Sequence, residues 1–474
     1  MAATRFRTRR LVALGMLAAA MAPLALPGCA FLNTGLEIQT VTLDNPSLNV
    51  GTTTRMTIEA TTLPGRTLRY QVVAERGRVY PQGFTDQKSF VYYAPFTSRS
   101  PDSTGNLVGG DTLRILVEDG FTSKPRNETV NLGGTTVAYV ANGDANGTGP
   151  IMLASTDDNG MTVLHQRALK DSGGNAVKGA QPTVSPDGRY IAYVDYAPSM
   201  PSTAIRVIDA GGRVITAVNA GESTGFNFDP SWAPSSREIL FSSDRKGNFD
   251  IYRVSTTGEN GTPIAVTATK VDERFPAWNP SLNSDRVSTM VASVLSNSDY
   301  PTDNAGTTAA WNLFLYNIAS GRPLRKLTNL TNLDDYAFEA QWRADGQAIA
   351  YTRYGPMTVG ASSGKRQRVF LRDVALQAGS DIPLNRMETT EAVVESSPTW
   401  SLSGTQVAYL KAFGSPKSQT MVPASVWRQS VNGLQPSSEA ARQWTEFSSP
   451  IPSLRINESD LTYGPFSAST FSWH

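Results

Sequence analysis

Carboxylates recur just ahead of a repeated strand pattern in the second half of this 474-residue chain: Asp229, Asp272–Glu273, Asp334–Asp335 with Glu339, and Glu395. Acids gathered around one opening could hold a cation or a basic peptide end. Equally they could form a solvated rim, the commoner fate of surface carboxylates. In pairs they are also the minimal equipment for glycoside chemistry. Other chemistries lack their residues. His165 and His474 are the only histidines, so a Ser–His–Asp triad or a histidine metal site has little to draw on. Gly360–Gly364 matches G-x-S-x-G, but that motif needs a strand before it and a helix after it, and PMTVGASSGKRQR reads as a polar loop. In GDANGTG, Asp144, Asn146 and Thr148 alternate like calcium ligands, but Ser155 stands where the bidentate Glu belongs. A hairpin turn is the better reading, and no cofactor or metal is expected. Tyr300, Trp311, Tyr336 and Tyr354 are candidates for a glycan-binding face, and each is also an ordinary strand residue.

The elements that must position these residues are strands. Gly, Pro, Thr, Ser and Asn are abundant, and the charged fraction is 18%. A formal net charge of +1 gives no general argument for nucleic acid. The N-terminus carries Arg5, Arg7, Arg9 and Arg10, then the apolar run Leu11–Leu26, broken by Gly15 and Pro23. That is the make-up of a secretory signal, too short and interrupted for a membrane span. Thr8–Leu11 has the Arg pair of a twin-arginine signal, so either export route fits. Leu26-Pro27-Gly28-Cys29 ends on the only cysteine and resembles the bacterial lipobox, with Pro27 where a small residue is usual. The resemblance implies cleavage after residue 28, lipid attachment at Cys29 and a linker over 29–35. Two or three acyl chains suffice for stable anchoring. Ala30 favours the outer membrane over retention at the inner one. The mature chain has no cysteine left for a disulfide, so packing must hold it.

Over 36–133 the runs LEIQTVTL, TRMTIEATT, LRYQVVAE, SFVYYAP, DTLRILVEDG and ETVNL alternate with period two between turn residues. Seven or so strands suit an antiparallel sandwich. VYYAP followed by DTLRILVEDG resembles bacterial immunoglobulin-like or cadherin-like domains. Asp111 and Asp119 would be calcium ligands in a cadherin, but turn-forming carboxylates are the simpler reading. The domain reads as a spacer.

Over 135–474 one pattern recurs: QPTVSPDGRYIAYVDY, DPSWAPSSREILFSSDRKGNFDIYRV, FPAWNPSLNSDRVSTMV, EAQWRADGQAIAYTRY and SPTWSLSGTQVAYLKAF. Each is a short strand with Trp (Val184 in the first), a tight turn and an alternating strand, with further strands following. Repeats of this length indicate radial repetition of four-stranded sheets. P-x-W-S-P-D-G-x-x-I-A-Y followed by D-R-x-G-N-x-D-I-Y resembles the TolB-type, WD-like β-propeller repeat. Pro230–Tyr252 is nearly complete, departing at Ser235 and Ser236 where Asp-Gly is usual. Before Val137 there is no Trp strand, only Gly133 and Gly134, whereas the chain ends STFSWH. Six inner strands, centred on Val184, Trp232, Trp278, Trp342, Trp400 and Trp473, predict six blades closed by the C-terminal strand pairing beside Val137–Asn142.

Three connections between second and third strands are long and polar: Ser296–Ala310, Gly355–Gln367 and Gly414–Ala424. Long loops on a rigid scaffold commonly carry function, though neutral drift lengthens loops too. The resemblance implies a non-catalytic protein-binding module in periplasmic envelope complexes. Its expected partners are envelope proteins, among them peptidoglycan-associated lipoprotein or another outer-membrane component, and the membrane itself through the anchor. Glycan or peptidoglycan binding is the second reading, with the protein facing periplasm or exterior. A carboxylate-based hydrolase or lyase is the third. The candidate binding residues are Asp229, Glu273, Asp335, Glu339, Glu395, Tyr300 and Tyr354.

Overall fold

The computed structural model describes residues 35–101, 107–144, 148–157, 162–196, 202–218, 225–256, 261–281, 288–298, 309–333, 335–359, 362–376, 381–386, 393–413, 421–444, 453–455 and 471–473. All regular elements among them are strands. The apolar run Leu11–Leu26, Cys29 and Tyr300 lie outside the described residues.

Arg99–Pro101 and Leu107–Gly109 pair only with each other, and the other eight of the first ten strands form two sheets. One runs Glu37–Leu43, Thr53–Thr61, Ser89–Tyr93, Arg78–Tyr80, and the other Ser47–Asn49, Ser123–Gly133, Asp111–Glu118, Arg69–Ala74. Alternation sets which side faces in: along Thr53–Thr61 the even positions Thr54, Met56, Ile58 and Ala60 are buried. These meet Tyr70, Val72, Leu113, Ile115 and Val117 of the other sheet in one core. Asp111 and Asp119 hold turns. Asp111 accepts the N–H groups of Arg76 and Gly77 and the Tyr92 hydroxyl, and Asp119 accepts the N–H groups of Phe121 and Thr122.

The remaining strands form antiparallel units of similar plan. The second unit is Lys178–Val184, Tyr190–Tyr196, Thr203–Asp209 and Val214–Val218; the third is Asn227–Trp232, Glu238–Ser243, Asp250–Ser255 and Ile264–Ala265. The fourth comprises Glu273–Trp278, Thr289–Leu295, Trp311–Asn317 and Arg322–Lys326. The fifth opens with Tyr336–Trp342 and the sixth with Val393–Trp400. In the first unit Thr136–Val140 pairs with Gly149–Thr156 on one side and antiparallel with Phe471–Trp473 on the other, Val137 opposite Trp473 and Tyr139 opposite Phe471. The leading strands are successive neighbours: Lys178–Val184, Asn227–Trp232, Glu273–Trp278, Tyr336–Trp342, Val393–Trp400, Phe471–Trp473, and back to Lys178–Val184. No sheet of the described strands closes on itself by hydrogen bonds.

The tryptophans join units. The indole N–H of Trp232 donates to the Thr183 carbonyl (3.1 Å), that of Trp342 to Ala277 (2.9 Å) and that of Trp400 to Gln341 (3.2 Å). In each case the acceptor lies one residue before the equivalent position of the preceding unit. Trp278 departs, donating to the Ser288 hydroxyl (2.8 Å). At the irregular turn, Ser236 has φ 57° where Gly188, Gly346 and Gly404 stand in other units. Its hydroxyl accepts the N–H of Asp187 in the neighbouring turn at 3.0 Å, a bond glycine cannot make.

Two of the long connections differ from the loops expected. Gly355–Gln367 continues the strands Ala348–Val359 and Ser362–Asp373 as a paired hairpin, Val359 opposite Ser362. Ser362–Gly364 of the G-x-S-x-G match therefore lie on a strand, without the following helix a nucleophile elbow needs, and Gly360 and Ala361 lie outside the described residues. In the last long connection Met421–Pro423 pairs with Ser453–Arg455.

One end of the sandwich is docked on the first two units. The buried Arg76 guanidinium ties together the carbonyls of Thr97 (2.7 Å), Gly110 (2.8 Å) and Ser98 (3.1 Å) within the sandwich end and also donates to Asp187 O of the second unit at 3.4 Å. The Phe96 N–H donates to Gly188 O at 2.6 Å. Phe96 joins a core with Ala138, Ile151, Val184 and Ile191. Arg78 pairs with Asp209 at 3.1 Å. A Cβ at Gly188 would meet the Thr97 N–H at 2.5 Å, so glycine here serves both the turn and the docking.

Candidate functional site: an axial recess ringed by bulges

Five of the six leading strands, all but the short Phe471–Trp473, carry a register shift, between Ala180/Thr183, Phe228/Ser231, Arg274/Ala277, Phe338/Gln341 and Ser396/Thr399. The residue at the shift is left-handed in all five: Gln181 (φ 50°), Asp229 (58°), Phe275 (51°), Glu339 (52°) and Ser397 (51°). None is glycine, so each conformation costs about 1–2 kcal/mol. Four precede proline. A bulge turns its residue off the alternating pattern, and here all five line one recess with Pro182, Pro230, Pro276, Pro398 and Gln341. The cavity is about 60 Å³, room for roughly four to six waters and hence for one inserted side chain of that size.

The bulge side chains reach from unit to unit. Gln181 Oε1 accepts the N–H of Asp229 at 2.7 Å, Asp229 accepts the N–H of Phe275 at 3.3 Å, and Glu339 accepts the N–H of Ser397 at 2.8 Å. Each acid also binds a hydroxyl on its own second strand, Ser242 with Asp229 and Thr352 with Glu339, both at 2.8 Å. Phe275 has no such acceptor and instead packs on Phe338, ring centroids 5.8 Å apart. Asp229 is further paired with Arg274 at 3.1 Å. The Arg274 side chain is fully buried, its guanidinium 4.7–5.3 Å from the rings of Phe275, Phe249 and Phe228.

These placements correct the solvated acidic mouth expected from sequence. Asp229 (7% exposed), Glu273 (0%), Asp335 (4%), Glu339 (6%) and Glu395 (0%) are all buried, and only Asp229 and Glu339 reach the recess. Glu273 lies in the third-to-fourth junction and accepts the Tyr316 hydroxyl at 2.9 Å. Glu395 accepts the Val369 N–H and the Asn385 amide, and Asp335 accepts the Asn332 amide. Gln181, Phe275 and Ser397 were not singled out, although each stands three residues before the Trp position of its repeat, as Asp229 and Glu339 do. The aromatic candidates among the described residues are interior. Tyr336 and Tyr354 are buried and stack on each other at 5.6 Å, and Trp311 is buried beside them. Among the described residues no three His, Cys, Asp or Glu side chains come together as a metal site would require.

Burial pushes the Glu273 carboxyl up to about 7 and Asp250 to about 6, and it raises Asp272 and Glu395 as well. An unfolded Glu titrates near 4.3. Between roughly pH 4.5 and 7 the folded state therefore holds a proton that the unfolded state has lost, and stability falls as pH rises through that window. For Glu273 the loss is of order 3 kcal/mol, complete above pH 7. Glu273→Gln keeps an acceptor for Tyr316 and removes the charge. Its urea midpoint should exceed the parent's at pH 8 and show little or no gain at pH 5. An equal difference at both pH values would rule out the buried carboxylate as the cause.

Fold and recess define an all-β protein of the propeller type, with polar and prolyl bulge residues at the axis. No family model matches the chain. A stretch of 126 residues is 29% identical to the TolB homologue of Chlorobaculum tepidum, covering 26% of this chain and 25% of that protein. The chain thus matches about a quarter of that relative's length. Among solved structures it is similar to TolB from Acinetobacter baumannii (TM-score 0.42, 18% identity, 70% of this chain and 78% of that one). It is also similar to a TolB-type protein from Agrobacterium tumefaciens (TM-score 0.43, 13% identity, 72% and 98%).

Proposed function

We propose that this is a non-catalytic, lipid-anchored protein of the bacterial envelope, attached at Cys29 to the outer membrane. An immunoglobulin-like spacer over 36–133 carries a six-bladed, TolB-like propeller over 135–474, closed by the C-terminal strand. The propeller's axial recess and adjoining rim receive a side chain and surface of another envelope protein, peptidoglycan-associated lipoprotein or another outer-membrane component. One observation carries this reading: five strained bulges converge on a small recess that has carboxylates, prolines and one exposed amide, Gln341. Backbone strain concentrates where surrounding structure is made to present a surface. The cyclic succession of leading strands supports six blades. The commitment of Asp229 and Glu339 to fixed donors supports binding over acid–base chemistry, which needs a carboxyl that can exchange its proton.

The test is photo-crosslinking in living cells. A photoreactive residue replacing Gln341 at the recess, or Ser363 on the hairpin, should give one discrete protein adduct. The same residue at Ser320, an exposed turn elsewhere, should not. Equal adducts at all three positions, or none at the first two, would defeat the proposal.

A further inference from the structure

The sandwich has one end on the propeller and the other free, and the free end carries an apolar tip. There the turn Asp119–Thr122 meets the loop that follows Thr61. Phe121 is 80% exposed and Leu63 40%, and Pro64 beside Leu63 is also exposed. A turn of this type asks for small polar residues, so nothing local requires phenylalanine. Yet the tip is built, not frayed. The Asp119 carboxylate accepts the N–H of Phe121 (3.1 Å) and of Thr122 (2.9 Å) and the Thr62 hydroxyl (2.7 Å). Arg66 pairs with the same carboxylate at 2.7 Å and lies 4.5 Å from the centre of the Phe121 ring. Arg69 pairs with Glu118 at 3.2 Å. Arg66 and Arg69 are thus matched by Asp119 and Glu118, so an apolar medium would strand neither arginine.

The chain leaves the sandwich at this same tip. A Cβ on Gly35 would come within 2.7 Å of Leu63 Cγ, so residue 35 lies against the apolar loop. Cys29 is six residues earlier, a reach of at most about 20 Å fully extended. With its far end held by Arg76, Phe96 and Arg78, the sandwich can present only the Leu63–Phe121 end toward whatever holds residue 29.

We propose that this tip seats in the lipid surface to which the chain is anchored, Phe121 and Leu63 entering the interface between headgroups and acyl chains. The inference rests on the anchor proposed above. Aromatic and aliphatic side chains on a rigid loop suit that interface. Seating would give the protein a defined stance on the bilayer, with the propeller on the side away from it.

The test uses full-length protein in roughly three-to-one phosphatidylethanolamine–phosphatidylglycerol vesicles carrying nitroxide lipid. An environment-sensitive thiol probe is placed by Phe121→Cys, and separately by Pro64→Cys, which leaves Phe121 intact. The control is Leu324→Cys, a 45% exposed leucine on the propeller. All are made with native Cys29 and with Cys29→Ser, and acylation is read separately by labelled palmitate incorporation. Probes at 121 and 64 should be quenched about twofold or more, and the probe at 324 unchanged. Palmitate label without quenching would overturn the seating and leave the anchor. Quenching without label would uphold the seating and remove the anchor. A blue-shifted but unquenched probe would mean that protein, a second copy or a partner, covers the tip, and would also overturn it.

Discussion

Asp229→Ala is expected to destabilise the protein by about 3–5 kcal/mol, because it leaves the Arg274 guanidinium buried without its counter-charge. The geometry makes this the most costly of the recess substitutions. Arg274 is fully buried and Asp229 also anchors Gln181, Ser242 and the Phe275 N–H. Phe228, Phe249 and Phe275 already surround the guanidinium, so an apolar chain fits the same space. Asp229→Ala combined with Arg274→Met should therefore recover much of the loss, since replacing a buried pair by packed apolar groups is often neutral. Urea titrations of the two single variants and the double variant close a cycle with a large coupling. Additive effects, or a loss below about 1 kcal/mol for the alanine, would show that the pair does not hold the ring.

Removing residues 471–474 is expected to lower stability by at least about 2–4 kcal/mol, from three paired residues at roughly 0.5–1.5 kcal/mol per hydrogen bond. The larger effect should be on cooperativity. Thr136–Val140 loses a partner and its sheet edge becomes available for aggregation, and Lys178–Val184 and Val393–Trp400 lose a shared neighbour. Thermal unfolding by near-ultraviolet circular dichroism should broaden or split. A rescue distinguishes loss of a strand from loss of a tail: inserting Phe-Ser-Trp with a Ser-Pro-Asp-Gly turn between Gly134 and Thr135 supplies the strand from the other side. If the shortened chain melts like the parent, the pairing is incidental to stability.

Much of this arrangement was legible because it repeats. The Trp positions, the turns and the unpaired FSW at the end follow from one recurring pattern, and the pairing of Phe471–Trp473 with Thr136–Val140 is where that pattern places it. The fate of the carboxylates was not legible. Sequence locates Asp229 and Glu339 just ahead of a strand, and simple alternation gives no reason to bury them. A bulge adds one residue, reverses the inside–outside alternation, and turns them onto the axis. Glu273 and Glu395 look like rim acids because the donors that reach them, Tyr316 from the third strand of the same unit and Val369 and Asn385 from the preceding unit, are not adjacent to them in the repeat pattern. The grip of Arg76 on Thr97 and Gly110 left no signal either, since it is addressed to backbone carbonyls that any residue supplies.

The direction of the indole contacts has a consequence for how the molecule is made. Trp232, Trp342 and Trp400 each reach back to a carbonyl already synthesised. A chain made amino-end first can thus fasten these three sectors to their predecessors as they arrive, growing as an open arc. Only the final junction must wait for the last residues to emerge. Prematurely terminated products would stay as arcs with a raw flank, a form that proteases can tell from the finished molecule.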